Sequence, residues 1–142
     1  METEPLFITQ RGVYGITPAD IDGRKYTQNR SYYINKAITA DKELANAECA
    51  KFRQYYVISL GEKLYLLDTS QKSYQNGEPL STFQYECYVW TGIDANVLWE
   101  KDGMLFFGDK KGNVCRFSTE EESAFSYEDY SPEGGKAIEA YW

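Results

Sequence analysis

The chain has no histidine among its 142 residues. Imidazole is the commonest general base and metal ligand at neutral pH, so Ser-His-Asp and Cys-His catalysis are excluded within this chain. Cysteine is scarce. Cys49, Cys87 and Cys115 make an odd count of three, and no two have the close spacing of metal ligands. Each sits in an apolar stretch, where a thiol behaves as a small hydrophobe, and the set fits a chain folded in a reducing cytoplasm. Positive charge is also short, with 15 Lys and Arg against 22 Asp and Glu, a net charge of −7. Phosphate-rich partners need a basic footprint, so neither nucleic acid nor an anionic membrane surface is expected. No apolar run approaches the roughly 18 residues of a membrane span. The acidic start Met1-Glu2-Thr3-Glu4 does not read as a secretion signal, so the glycosylation pattern at Asn29-Arg30-Ser31 is taken as chance. Walker-type phosphate loops and dinucleotide fingerprints are missing, and no cofactor is implied.

What the chain does have is aromatic side chains, with 13 Tyr, 7 Phe and 3 Trp, and a motif that recurs three times. The copies lie about fifty residues apart, a period typical of blade-type β repeats. Each is a short apolar strand, a tight polar turn and a second apolar strand. The first runs Leu6–Ile8, Gln10–Gly12, Val13–Ile16; the second Tyr55–Ile58, Gly61–Lys63, Leu64–Leu67; the third Met104–Phe107, Asp109–Asn113, Val114–Phe117. This alignment makes Phe7, Val57 and Phe106 equivalent, and likewise Val13, Leu64 and Val114. Turns this short force antiparallel hairpins, because parallel strands need a long crossover. Apolar residues at consecutive positions mark strands covered on both faces. Hairpins of that kind are expected to stack as blades, as in a β-propeller.

A third, outer strand is expected after each hairpin: Lys25–Ile34, Thr82–Trp90 and Lys136–Trp142. A fourth is expected before two of them: Ala95–Glu100, which enters the strong hairpin turn Asp102-Gly103, and Ala47–Phe52. Residues 39–52 mix helical composition with the strand repeat, which is read as about one helical turn from Ala40 and a strand from about Ala47. The whole is one all-β domain over residues 1–142, a partial β-propeller of about three repeats (about 1–38, 39–92 and 93–142). Both ends look cut. A closed propeller needs at least about four blades, so the expectation is a piece of a larger ring or a self-associating subunit, two copies of which would close six blades.

Candidate sites are few. Asp109, Gly112 and Asn113 read as a hairpin turn with Gly112 or Asn113 left-handed, because calcium needs six to eight oxygens and the turn lacks the alternating acidic ligands of a calcium loop. The carboxylate pairs Asp20/Asp22 and Glu100/Asp102 read as turns. Tyr56, Trp99, Phe106 and Phe107 read as packing between layers. Tyr26, Tyr32, Tyr33, Tyr85, Tyr88 and Trp90, on the outer strands, are the candidate interaction surface, since aromatic faces beside polar groups bind protein partners or sugars.

The segments Leu6–Thr9, Gly12–Ile16, Gln28–Ile34, Leu64–Asp68, Phe83–Tyr88 and Leu98–Gly108 resemble the carboxy-terminal half of tail-associated virion proteins from phages and prophages of Gram-positive bacteria. The resemblance runs over most of the chain. It implies a non-enzymatic, propeller-like structural part of a phage tail, assembled in the bacterial cytoplasm and carried in the virion, with protein partners: itself or other tail components. No catalytic residue carries over. Phe107-Gly108-Asp109 with Gly112-Asn113-Val114 is also similar to quinoprotein-type propeller repeats. The tryptophan-docking pattern of that group is missing, so this likeness implies fold and not quinone binding. The other function considered is recognition of a bacterial surface glycan through Tyr and Trp.

Overall fold

A computed structural model describes residues 4–18, 25–74, 76–78 and 82–117, together with short strands at 128–129, 136–137 and 140–141. The described residues are mostly antiparallel β-sheet, with a short helical stretch between the first and central sheets. The first sheet holds β1 (Leu6–Thr9), β2 (Gly12–Pro18) and β3 (Lys25–Asn29) in chain order. The central sheet holds β4 (Glu48–Phe52), β5 (Tyr55–Leu60), β6 (Lys63–Tyr74) and β7 (Phe83–Thr91). The third sheet holds β8 (Ala95–Lys101), β9 (Met104–Asp109) and β10 (Val114–Arg116). Two short strands, β11 (Glu128–Asp129) and β12 (Lys136–Ala137), pair with each other.

The turns follow from local chemistry. Asp102 and Gly103 both take positive φ, 53° and 77°, as a two-residue hairpin turn with matching twist requires. In the β9–β10 turn Gly112 is the left-handed residue, at φ 88°. Gly12 at φ 118° meets a second demand, since a Cβ there would run into the Asn35 side chain. That side chain holds Ser31, whose Oγ donates to Asn35 Oδ1 at 2.6 Å and accepts from Val13 N–H at 2.7 Å.

The three sheets stack, and the apolar runs record it. Along β6, Leu64, Tyr65, Leu66 and Leu67 are all at most 2% exposed. Successive strand residues point to opposite faces, so Tyr65 and Leu67 enter one core and Leu64 and Leu66 another. Tyr65 and Leu67 pack with Ile58, Leu60 and Tyr85 of the central sheet, Val13 of the first sheet and Ile38. Leu64 and Leu66 pack with Val57 and with Ala95, Leu98 and Leu105 of the third sheet. The central sheet is thus covered on both faces.

Three expectations need correction. The strand expected over Lys25–Ile34 ends at Asn29. Ser31 takes over the pairing to β2, and Tyr32–Ile34 turn into a 3-10 helix that continues as α1 (Asn35–Thr39). The helical segment therefore starts earlier than Ala40, and a second 3-10 turn at Leu44–Asn46 precedes β4. The expected outer strand of the third repeat does not join the third sheet. β13 (Ala140–Tyr141) pairs with β7, placing Ala140 opposite Trp90 and making the central sheet five-stranded.

The third correction concerns the repeat alignment. Directly paired residues share a face, and Val13, Leu64 and Val114 pair with Ile8, Ser59 and Gly108. The preceding residues, Phe7, Ile58 and Phe107, then share the opposite face, so Phe7 is equivalent to Ile58 and Phe107 rather than to Val57 and Phe106. With this shift the layers agree. The face carrying Val13, Leu64 or Val114 is turned toward the next sheet in the chain and is called forward below. The other face is called rear. Each forward face inside the molecule packs on the rear face of the following sheet.

Candidate functional site

Two features stand out from the layered core: a buried polar clasp between the first and central sheets, and the two outer faces of the stack.

The clasp centres on Arg30, whose residue is 0% exposed. Its Nε donates to Glu4 Oε1 at 2.5 Å and its Nη2 to Glu4 Oε2 at 3.1 Å, a two-pronged grip on the carboxylate. Nη1 donates to Gln28 Oε1 at 2.8 Å and to the Phe83 carbonyl of β7 at 3.1 Å. The guanidinium lies over the Phe83 ring, 3.5 Å from its centroid. Thr17 and Tyr85 hydroxyls complete the set, donating to Glu4 at 2.8 and 3.0 Å. Gly15 leaves the room, because a Cβ there would collide with the Glu4 carboxylate. Burial alone would raise the Glu4 pKa, but hydrogen bonds from Arg30 and Thr17, with the Arg30 charge, outweigh it and hold the carboxyl below its ordinary value. Burial, then the neighbouring Glu4 charge, pushes the Tyr85 hydroxyl above its ordinary range. Every partner is used, and the arrangement binds the start of β1 to β3 and β7. Neither Glu4 nor Arg30 stood out in the sequence. The available signal was weak: Gln28 and Arg30 fall on the same face of the β3 segment as core residues, which calls for a buried acceptor.

The candidate surface residues do not form one patch. Tyr32 and Tyr33 are 60% and 65% exposed, on the 3-10 turn, with rings edge to face at 5.7 Å. Tyr26 is half-buried on β3. Tyr88 is half-buried against Tyr55, centroids 6.4 Å apart, and Trp90 against Phe117 at 5.5 Å. Tyr85 is 5% exposed and bonded to Glu4, so its place in an interaction surface is withdrawn. It lies on the rear face of β7, which the first sheet covers.

The outer faces of the stack hold the exposed apolar side chains that the sequence reading assigned elsewhere. On the rear face of the first sheet, Phe7 is 36% exposed and stacks on Tyr14 with centroids 6.3 Å apart, beside half-buried Ile16. On the forward face of the third sheet, Trp99 and Phe106 stack nearly parallel at 5.5 Å and 8°. Val97 and Val114 flank them at 45% and 73% exposure. Phe107, on the rear face of that sheet, packs between layers as expected, and Trp99 and Phe106 do not.

An open cleft of about 330 Å³ lies between residues 4–6 and the β4–β5 hairpin, lined by Glu4, Lys51, Arg53, Tyr55 and Tyr56. Its Cys49 is pushed above the ordinary thiol range by burial. Glu100 caps its own turn, accepting from Gly103 N–H at 2.7 Å. Asp109 is likewise held by its turn, accepting from Lys111 and Asn113 N–H at 2.9 and 2.8 Å. Asp20 and Asp22 lie outside the described residues. Among the described residues no group of His, Cys, Asp and Glu is arranged to hold a metal, and no helix is long and apolar enough to cross a membrane.

Comparisons with protein-family models, with curated proteins and with solved structures give no match.

Proposed function

We propose that the chain is a non-enzymatic assembly module, a segment of a β-propeller whose sheets are its blades, working as a structural part of a phage tail or tail-like particle. The observation that carries this reading is the pair of apolar faces at the two ends of the stack that no other described sheet covers. A sheet needs its apolar face buried, and the central sheet has both faces covered while the outer two have one each. Exposed aromatic and branched side chains on a flat face mark protein contact sites. The phage context is supported by the sequence resemblance alone.

The test is sedimentation of the purified chain across a wide concentration range, alone and with candidate tail proteins. The reading expects association through the outer faces, weakened by Val114→Asp, a change at an exposed position that leaves the core intact. A chain that stays monomeric and ignores every tail component refutes it. The exposed Tyr32–Tyr33 pair favours a second reading, binding of a bacterial surface glycan. In that case Tyr32→Ala abolishes retention on cell-wall carbohydrate, and Val114→Asp has no effect.

A further inference from the structure

We propose that the partner for the outer faces is a second copy of this chain, joined head to tail: the forward face of one copy's third sheet on the rear face of the other's first sheet. The inference rests on the assembly reading and specifies its partner and polarity.

The argument comes from equivalence. Phe7, Ile58 and Phe107 occupy the same register position in their hairpins, and all three are on rear faces. Ile58 and Phe107 are covered inside the molecule, each by the forward face of the sheet before it. Phe7 is the one of the three whose sheet has no preceding sheet among the described residues. Val13, Leu64 and Val114 show the complementary pattern. Val13 and Leu64 sit on forward faces and are 0% exposed, packed against the following sheet. Val114 has no following sheet among the described residues and is 73% exposed. Among the described residues, the same kind of contact is therefore made twice, and one half of it is left without a partner sheet at each end. The free halves belong to each other. Two rear faces together, or two forward faces, would be a contact the fold uses nowhere.

The chemistry of the two faces fits. The described side chains on the rear face are Phe7, Thr9, Tyr14, Ile16, Thr27 and Asn29, with no charge among them. The forward face offers the Trp99–Phe106 stack with Val97 and Val114, edged by Met104 and by the exposed cations Lys101 and Arg116. Aromatic pairs on each side allow ring-to-ring contact beyond the area buried.

Polarity gives the experiment. Phe7→Asp blocks the rear face and Val114→Asp the forward face, both at exposed positions, with circular dichroism confirming that each variant folds. Wild-type chain is expected to sediment as dimers or larger species. Each variant alone is expected to be monomeric, because any head-to-tail contact between identical copies then includes a blocked face; a variant that dimerises alone shows like faces meeting and overturns the inference. Mixed together, the two variants retain one intact forward face and one intact rear face, and a one-to-one heterodimer is expected that grows no further. If wild type associates but the mixture stays monomeric, the contact is not head to tail: the inference falls while the assembly reading stands. If both variants still associate as wild type does, the outer faces are not the contact, and the inference also falls. Monomeric wild type at all concentrations overturns the inference, and the tail-protein arm above decides the wider reading separately.

Discussion

Val57 and Ile58 are adjacent in β5, and both are 0% exposed, yet they point into different cores. Ile58→Val removes one methylene from the core shared with the first sheet and should cost about 0.5–1.5 kcal/mol. Val57→Ala removes two methyl groups from the core shared with the third sheet. At about 0.8 kcal/mol per carbon plus a cavity contribution, roughly 2–3 kcal/mol is expected. Their sum stays within the roughly 5–15 kcal/mol stability of a typical domain, so the double variant should fold. Residues in contact normally couple, but these two share no core partner, and their effects should add to within about 0.5 kcal/mol. The control is Val57 with Leu66, which sit directly opposite on the same face. There Leu66→Val enlarges the same cavity, and a coupling above about 0.5 kcal/mol is expected. Urea unfolding of the two cycles, read as midpoints at constant slope, measures both. Equal coupling in the two cycles would refute the assignment of β5 to two separate cores.

Arg30→Met strands the Glu4 carboxylate and should cost about 3–5 kcal/mol, more than Glu4→Gln, which keeps a hydrogen-bonding group in place; chemical denaturation ranks them, and the reverse order would contradict the clasp. Because the folded state lowers the Glu4 pKa, its contribution is complete above the ordinary carboxyl value and fades as pH falls through the lowered one. Glu4→Gln should accordingly flatten the acid side of the stability curve and leave the neutral side parallel to wild type. Burial pushes the Cys87 thiol up to about 12, and the Cys49 thiol is raised for the same reason. Both should resist iodoacetamide at pH 8 until the chain is unfolded, so intact mass should show at most one early adduct, on Cys115; rapid addition of a second to native protein would contradict the protection of Cys49 and Cys87.

The sequence displayed the hairpins because hairpin signals are local. Asp102-Gly103 and the glycines at 12, 61 and 112 sit at the turns they make. The unbroken apolar run Leu64–Leu67 likewise announced a strand buried on both sides. What escaped depends on pairings between distant residues. Composition at Tyr32–Ile34 suits a strand, but contacts to distant partners, Ser31 to Val13 and the Tyr32 N–H to Gln84, hold the backbone in a helical turn. Tyr85 looks like any outer-strand tyrosine until Glu4, eighty-one positions earlier, is set beside its hydroxyl. The one-residue error in aligning Phe7 had a similar origin. Apolar residues stand on both sides of each hairpin strand, so hydrophobicity cannot say which neighbour faces which way, whereas the strand pairing and the layer each face meets can.

Ala140–Tyr141 cover Trp90 and Val89 on the edge of β7 in the central sheet, although the first and third hairpins are finished long before residue 140 is synthesised. A ribosome making this chain therefore releases the middle layer with one border still bare. Until that border is paired, its exposed amides are open to whatever strand arrives first, and the interval between the synthesis of β7 and that of β13 is the one in which a chaperone would matter most.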